Sequence, residues 1–336
     1  KIRITHAETL DKAGNFYTGN LRGARQQATY FLSGENVCRP SFTFMGFRYI
    51  RLDEYYSQEV HPEDFTAVAV HSELKRTGWF RCGIDKVNRL YDNILWSQRS
   101  NSLDVPTDCP QRDERMGWLN DMTARYEEAV YNFNMVHIYE KWAQDITDAR
   151  EPVSGAIPDT APLKRGQRPA DPCVASYLLV SKAIYDHYAN KRSMLRQYDG
   201  MKKWTNFLYR QSRNGILDYS YWGDWAGPKD FTTRQMCDAV SSVTPGELIS
   251  TGYLYYDLRL MAEFAGILGC EADKEDFTGR AEYVKKAFIR EFFNFEQGYA
   301  GTNSQGCNAF ALYMGLVPAG REKEVAAKLA EDVISR

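Results

Sequence analysis

The chain has 336 residues, enough for two domains and a large hydrophobic core. Its 42 basic and 44 acidic side chains give a net charge of −2, which provides no electrostatic basis for binding nucleic acid or an anionic membrane. No apolar run reaches the ~18–20 residues that a membrane-spanning helix needs, so we expect a soluble protein that binds neither.

The seven cysteines are dispersed along the chain and form no CxxC pair, and the five histidines stand apart from them. This spacing argues against a zinc site and favours buried free thiols over a disulfide framework. We therefore predict no metal and no cofactor. No signal-like segment begins the chain, so the sequence assigns no compartment.

Residues 1–77 are predicted to form part of an antiparallel β-sandwich. Three segments have strand-like composition, either alternating or rich in aromatic and β-branched residues, at 1–6, 42–52 and 64–74. Turns rich in Gly, Asn, Asp and Pro separate them. The N-terminal residues already follow the strand pattern, so we expect the chain to be part of a longer protein.

Residues 78–336 are predicted to be helical. In 85–98 the apolar residues recur at helical spacing and form one stripe. The segment 244–248 has a capping-box pattern, with Thr244 as the N-cap and Glu247 three residues later. Helices joined by short links indicate a toroid of helical hairpins, because no fixed repeat supports a solenoid. Similar stripes recur at 122–148, 174–190, 194–212, 245–269, 273–296, 304–316 and 320–335.

The segment 104–121, DVPTDCPQRDERMGWLND, combines five carboxylates with two arginines and a tryptophan. If a helix begins after Pro110, then Glu114, Trp118 and Asp121 lie on one face of it. A carboxyl group that an indole screens from water keeps its proton to higher pH, which is the requirement for a general acid. This composition is typical of a glycosidase subsite.

Asp108 and Arg112 precede that face and are candidates to bind the hydroxyl groups of a polyol. The competing interpretation of the segment is a surface helix with many salt bridges, although such a helix seldom needs Gly117. Cys109 as a nucleophile is the weaker hypothesis, because no histidine lies near it in the sequence.

The segment resembles the DCPQRDERxGWxGD signature of the bacterial α-L-rhamnosidases, glycoside hydrolase family 78. The resemblance covers essentially the whole chain. Further segments that resemble this family follow in family order: ITHAETL (4–10), YTGNLRGARQQATYFLSG (17–34), FTFMGFRYIRL (42–52), GWFRCGIDKVNRLYDNILWSQRSN (78–101), GAIPDTAP (155–162), YWGDWAGP (221–228), TPGELISTGYLYYDLRLMAEFAGILG (244–269) and NSQGCNAFALYMGLVP (303–318).

The resemblance implies a six-hairpin (α/α)6 barrel, preceded by part of an antiparallel β-sandwich. It implies hydrolysis of terminal α-L-rhamnose with inversion at the anomeric carbon, on a rhamnose-containing glycoside, oligosaccharide or polysaccharide. Each site residue carries over from its match to the family motif: Glu114 as general acid, Asp108, Arg112 and Asp121 as ligands of the rhamnose hydroxyls, Trp118 and Trp225 as apolar walls, and Asp224 as a further polar contact.

Three features depart from the family pattern. Asn120 replaces a glycine, and Val174 replaces the tryptophan of an Asp-Pro-Ala-Trp stretch that lines the sugar site in relatives. The family's late glutamate, the general base, has no counterpart, and the helices are fewer than the twelve of a full barrel. We therefore expect a barrel that is incomplete at its C-terminal end, with its base beyond residue 336, and a weak or inactive catalyst in these residues alone.

Other functions of helical toroids fit the sequence less well. A polysaccharide lyase needs a Tyr or His base beside a neutralised uronate, and a phosphorylase needs a basic phosphate pocket, whereas residues 108–121 are acidic. The alternative from another class is a non-catalytic carbohydrate-binding protein derived from this fold, which keeps the pocket without the base.

Overall fold

The computed structural model describes residues 1–34, 37–55, 59–164, 166–225, 241 and 243–335. Over these residues the chain is mainly helical, with a small antiparallel sheet near the N-terminus, as the sequence predicts. The chain divides into two compact units. The first comprises residues 1–118 and 128–138, and the second comprises residues 119–127 and 139–336.

The sheet of the first unit has three strands, with β1 at its centre and β4 and β5 antiparallel on either side. In the register, Ile4 of β1 lies opposite Ala28 of β4 and Leu52 of β5. Two short hairpins, β2–β3 and β6–β7, complete the strands described in this unit. Their bounds are β1 Ile2–Ala7, β2 Thr9–Leu10, β3 Phe16–Tyr17, β4 Gln27–Tyr30, β5 Tyr49–Asp53, β6 Ser102–Leu103 and β7 Val105–Pro106.

The strand predictions are confirmed in part. The first strand is present, and the segment 42–52 is a strand only from Tyr49 onward. The strand predicted at 64–74 is wrong, since the described backbone there forms none. Val68 and Val70, whose alternation suggested it, are 58% and 49% exposed, so no second layer covers them.

Helices account for most of the remaining described chain, and every predicted helical stripe contains one. The stripe at 122–148 holds two helices, because the extended backbone of Phe133 ends the first. Phe133 is fully buried and bridges to Arg76. The helices are α1 Asp85–Ser100, α2 Leu119–Asn132, α3 Val136–Ala149, α4 Ser176–Tyr188, α5 Lys191–Gln211, α6 Gly246–Leu268, α7 Glu271–Phe292, α8 Gln305–Met314 and α9 Glu322–Ser335.

The apolar stripe at 85–98 predicts helix α1 correctly, but most residues of that stripe are not buried in this structure. Leu95 is buried, whereas Val87, Leu90 and Ile94 are 37%, 57% and 37% exposed. Periodicity therefore located the helix, while the burial of its face depends on what packs against it.

In the second unit, α4, α5, α6 and α7 pack in succession, and α8 packs against both α6 and α9. Trp142, Trp204 and Phe264 are among the largest side chains that are fully buried in this core. Gly252 permits the close approach of α6 and α8, because a Cβ there would lie only 2.2 Å from Phe310 Cε1. A short hairpin of β8 (Phe293–Asn294) and β9 (Tyr299–Ala300) follows α7.

The capping box predicted at Thr244 is wrong. The N-cap of α6 is Pro245, and no side chain caps this helix. The Thr244 hydroxyl instead donates a hydrogen bond to Asp224 Oδ2 at 2.8 Å, so a tertiary acceptor replaces the local one.

The cysteines of the described residues are free, as predicted, but their predicted burial holds only for Cys109, Cys173 and Cys307. Cys38 is exposed, Cys82 and Cys270 are partly exposed, and Cys237 lies outside the described residues. Among the described helices, none combines the length and the apolar character that crossing a bilayer requires. The last three residues of the YWGDWAGP segment, 226–228, also lie outside the described part of the chain.

Candidate active site

The acidic signature forms a loop and not the start of a helix, so the helix predicted after Pro110 is wrong. Residues 107–117 are irregular, and α2 begins only at Leu119, with Trp118 as its N-cap. Glu114, Trp118 and Asp121 therefore do not share one helical face. Gly117 lies in this loop, so it imposes no helix penalty.

Asp108 closes the loop on itself. Its backbone N–H donates to the carbonyl of Met116 at 3.1 Å, and its Oδ1 accepts from the backbone N–H of Met116 at 2.9 Å. The side chain is 4% exposed. In a helix that began after Pro110, the Met116 N–H would donate to the carbonyl of Arg112, so its bond to Asp108 is incompatible with that helix.

Arg115 holds the same loop from its other side. This residue has a left-handed backbone, with φ 54°. Its guanidinium makes three hydrogen bonds to backbone carbonyls. The acceptors are Arg112 at 2.8 Å, Gln111 at 3.2 Å and Phe44 at 2.9 Å. These contacts offset the cost of the unusual backbone and tie the loop to the N-terminal residues.

The N-terminal residues approach the loop at two further points. The buried Gln26 side chain donates to the carbonyl of Gln111. Gly46 lies so close that a Cβ at this position would be 2.8 Å from the Cβ of Gln111. Within the first unit, the loop thus rests on Gln26, Phe44 and Gly46, which precede it by more than sixty positions.

Glu114 lies at the open side of the loop, with its side chain 18% exposed. Its Oε2 accepts from Arg22 Nη1 at 2.8 Å and lies 3.3 Å from Arg112 Nη2. Among the described residues, none forms a hydrogen bond or ion pair with Oε1. The carboxyl group therefore has one anchored oxygen and one that is open to a ligand.

Arg112 joins the two acidic side chains of the loop. Its Nη2 lies 3.4 Å from Asp108 Oδ2 and 3.3 Å from Glu114 Oε2. Three of the predicted site residues, Asp108, Arg112 and Glu114, are therefore in direct contact. The negative charges of the Asp108 and Glu114 carboxylates are balanced by the positive charges of the Arg22 and Arg112 guanidinium groups.

Cys109 is buried beside this cluster. Burial raises the pKa of the Cys109 thiol, and a hydrogen bond with Asp108 raises it further. The thiol form is thus favoured at neutral pH, which agrees with the low priority given to Cys109 as a nucleophile.

One donor atom each from Asp108, Cys109 and Glu114 lie within 4.8 Å of one another, a spacing that a metal ion can bridge. Arg112 already provides the positive charge between the two carboxylates. Because Cys109 is held as a thiol, the set offers two hard oxygen donors with a poor third ligand.

Of the other predicted site residues, Trp118 belongs to the first unit, whereas Asp121, Asp224 and Trp225 belong to the second. Asp121 is exposed, in the first turn of α2. Asp224 and Trp225 follow a sharp turn at Gly223, where φ is 48°. Thr244 holds Asp224, whereas Trp225 is 54% exposed and packs edge to face on Trp222, with their ring centroids 5.2 Å apart.

A buried carboxylate organises the segment that leads to Asp224 and Trp225. Asp171 Oδ2 accepts from the Ser220 hydroxyl at 3.0 Å, from the backbone N–H of Tyr221 and from that of Trp222 at 2.7 Å. Asp171 is fully buried. This single carboxylate therefore fixes three consecutive residues before Gly223.

A second buried carboxylate, Asp159, supports the first. Its Oδ1 accepts from the backbone N–H of Asp171 at 3.1 Å and its Oδ2 from that of Gln167 at 2.9 Å. Burial raises the pKa of Asp159, and these two hydrogen bonds counteract the rise. Val174, which replaces the tryptophan of relatives, is fully buried, so it belongs to the core of this unit.

Comparison with known proteins identifies the family. The sequence model described as the bacterial α-L-rhamnosidase 6 hairpin glycosidase domain matches residues 75–336. The model described as the bacterial α-L-rhamnosidase concanavalin-like domain matches residues 1–71. The chain belongs to the bacterial α-L-rhamnosidase family.

Two curated α-L-rhamnosidases show the extent of the similarity. The protein from Streptomyces avermitilis is 31% identical over 338 residues, which cover 98% of this chain and 30% of that protein. A protein from Formosa agariphila is 28% identical, over 99% of this chain and 36% of its own length. The chain thus spans about a third of the length of these α-L-rhamnosidases.

Solved α-L-rhamnosidase structures agree with the fold. That from Dictyoglumus thermophilum superimposes with a TM-score of 0.92 at 33% identity, over 99% of this chain and 37% of that one. That from Streptomyces avermitilis, complexed with L-rhamnose, has a TM-score of 0.89 at 29% identity, over 99% of this chain and 31% of that one. The predicted family and its six-hairpin fold class are confirmed.

Two groups in this chain were missed by the reasoning from sequence. Arg22 contacts the candidate acid, yet it lies 92 positions away, in the segment 17–34, whose resemblance to the family assigned no role to this arginine. Asp171 lies in the DPCVAS stretch, in which the sequence reasoning assigned significance only to Val174. The aspartate before proline was the available signal, since a carboxylate there often binds backbone N–H groups of a turn.

Proposed function

We propose that the protein containing this chain hydrolyses terminal α-L-rhamnosides with inversion, and that Glu114 is its general acid. Family membership and the L-rhamnose complex of the Streptomyces avermitilis relative support the substrate class. The observation that carries the proposal is the asymmetric environment of Glu114. Two guanidinium groups hold one carboxyl oxygen, while the other is open to a glycosidic oxygen.

The proposed reaction begins with a proton on Oε1 of Glu114. The proton passes to the glycosidic oxygen as the bond from that oxygen to the anomeric carbon breaks, and the oxygen keeps the electron pair and leaves as an alcohol. Glu114 becomes a carboxylate. A water molecule attacks the opposite face of the sugar, and a second carboxylate, ~6.5–9.5 Å from the acid, takes its proton.

The remaining candidates have binding roles in this proposal. Arg112 can donate to a sugar hydroxyl while it stays beside both acidic side chains, and Asp108 keeps it in place. In the second unit, Asp121 and Asp224 are proposed to accept hydrogen bonds from hydroxyl groups. Trp118 and the half-exposed Trp225 are proposed to pack on the apolar face and the methyl group of rhamnose.

The substrate proposal is tested with the full-length protein on a panel of aryl α-L-rhamnosides, α-mannosides and α-L-fucosides. We expect release from the rhamnosides alone. Proton NMR recorded during the first minutes should show the β anomer of free rhamnose before mutarotation. Initial formation of the α anomer would disprove inversion, and preferred cleavage of mannosides would disprove the substrate class.

The same preparation discriminates hydrolysis from simple carbohydrate binding. A non-catalytic relative of this fold would bind L-rhamnose in calorimetry and release nothing from any glycoside in the panel. Turnover of a rhamnoside with an alkyl or sugar aglycone that co-purifies with the protein and falls sharply on substitution of Glu114 would exclude that alternative.

A further inference from the structure

Arg22 is placed beside the candidate acid by the N-terminal part of the chain. It follows a single 3-10 turn, Gly19–Leu21, and adopts a left-handed backbone with φ 56°. Leu21, in this turn, is only 1% exposed and packs in the core. Four residues after Arg22, the Gln26 side chain donates a hydrogen bond to the carbonyl of Gln111. The backbone on both sides of Arg22 is therefore fixed against the loop that carries Glu114.

The side chain of Arg22 makes one polar contact with a side chain of the described chain. Its Nη1 lies 2.8 Å from Glu114 Oε2, and no other described carboxylate pairs with it. Arg112, the second guanidinium on that oxygen, is shared with Asp108. Arg22 is thus the arginine that serves Glu114 alone, although its side chain is 52% exposed.

We propose that Arg22 is a positioning residue for the acid: it holds Oε2 so that Oε1 carries the reactive proton, and it stabilises the charge that Glu114 gains when that proton leaves. This inference rests on the proposed function. A cation fixed beside a group that becomes negative during proton transfer lowers the barrier without needing to reorganise. The contact with Glu114 is in place before any substrate arrives.

The inference connects the two family domains functionally. Arg22 lies in the part matched by the concanavalin-like domain, at 1–71, whereas Glu114 lies in the part matched by the six-hairpin glycosidase domain, at 75–336. On this account, the N-terminal domain supplies a group that the acid of the glycosidase domain needs.

The test uses the full-length protein with Arg22→Met, which keeps the stem and removes the charge, and Arg22→Lys, which restores a charge. Rhamnosides with an alkyl or sugar aglycone need full protonation on departure, whereas an activated aryl rhamnoside needs little. We expect Arg22→Met to lower kcat for the poor leaving groups about 10- to 100-fold. We expect a clearly smaller loss on the activated aryl substrate, and KM within about twofold of wild type on both, because a group acting through Glu114 leaves sugar binding unchanged.

Arg22→Lys should recover most of the lost kcat, since it keeps the positive charge. The matched control is Arg25→Met, a nearby exposed arginine that forms no ion pair in the described structure, and it should behave as wild type. Equal losses on both substrates without rescue by lysine, or no loss at all, would overturn the role of Arg22 and leave the rhamnosidase proposal intact. A wild-type protein that cleaves neither substrate would overturn both.

Discussion

At the scale of single residues, the environment of Glu114 differs from the one that its sequence suggests. The spacing to Trp118 predicted an indole on the same helical face, and the structure instead places two arginines on one carboxyl oxygen. Spacing arguments hold only where the backbone is helical. Here the hydrogen bonds of Asp108 keep residues 108–116 in a loop, so the helical geometry does not apply.

A second residue, Asp257 in α6, is unusual for a different reason. Its side chain is fully buried, and neither carboxyl oxygen has a hydrogen-bond partner among the described residues. Burial raises the pKa of Asp257 well above its ordinary value. Since the folded state favours the protonated form more than the unfolded state does, its contribution to stability falls as the pH rises above the ordinary value of about 4.

We therefore predict that Asp257→Asn is more stable than wild type at neutral pH, by about 1.4 kcal/mol for each unit by which burial raises the pKa of Asp257, because asparagine takes up no proton on folding. The stability difference from wild type should grow as the pH rises from about 4 to 7, because asparagine does not ionise. Thermal or urea unfolding across this pH range measures it. A variant that is less stable than wild type at pH 7 would contradict the assignment.

Asp273→Asn provides a control of opposite sign. Asp273 accepts from Lys202, and this contact, foremost among several, lowers its pKa. The contribution of Asp273 to stability is fully present at a pH above the ordinary pKa of aspartate, and it is lost as the pH falls below that pKa. The control should be less stable than wild type at pH 7 by up to about 1 kcal/mol, and the difference should vanish at low pH.

At the scale of elements, the apolar periodicity of the sequence located the helices well, but the conformations of the loops could not be predicted from it. A helix repeats one local pattern, so an apolar stripe such as that of 194–212 is enough to place α5 at Lys191–Gln211. The loops at 108–116 and 219–225 are fixed by contacts with distant residues, among them Arg115 with Phe44 and Tyr221 with Asp171. Sequence separation hides such contacts.

The anchoring of the 220–222 segment leads to a prediction about Asp171. Asp171→Ala should leave the Ser220 hydroxyl and the backbone N–H groups of Cys173, Tyr221 and Trp222 without their acceptor, and lower the free energy of unfolding by about 2–4 kcal/mol. Amide hydrogen exchange at Tyr221 and Trp222 should accelerate. Unchanged protection at both amides would show that Asp171 does not hold this segment.

Asp186→Ala is the matched control for this experiment. Asp186 pairs with Lys182 on α4, and its side chain is 42% exposed. Because exposed ion pairs contribute little, its replacement should cost less than about 1 kcal/mol and leave exchange at Tyr221 and Trp222 unchanged.

At the scale of the whole molecule, family and fold class followed from the sequence, because the signature at 104–121 is long and the later segments keep family order. The detailed site did not follow. The proposed acid pairs with Arg22, which lies in the part matched by the other family domain, and Trp225 and Asp224 follow a turn held by Asp171. In each case the contact joins residues about 50 or more positions apart, and no local pattern encodes it.

The most direct test of the account is the leaving-group dependence of Glu114→Gln in the full-length protein. Glutamine keeps the shape of the side chain and cannot supply the proton. We predict a loss of ~10²–10⁴-fold in kcat for rhamnosides with alkyl or sugar aglycones, and a much smaller loss for an activated aryl rhamnoside. Equal losses on the two kinds of substrate would contradict the assignment of Glu114 as the acid.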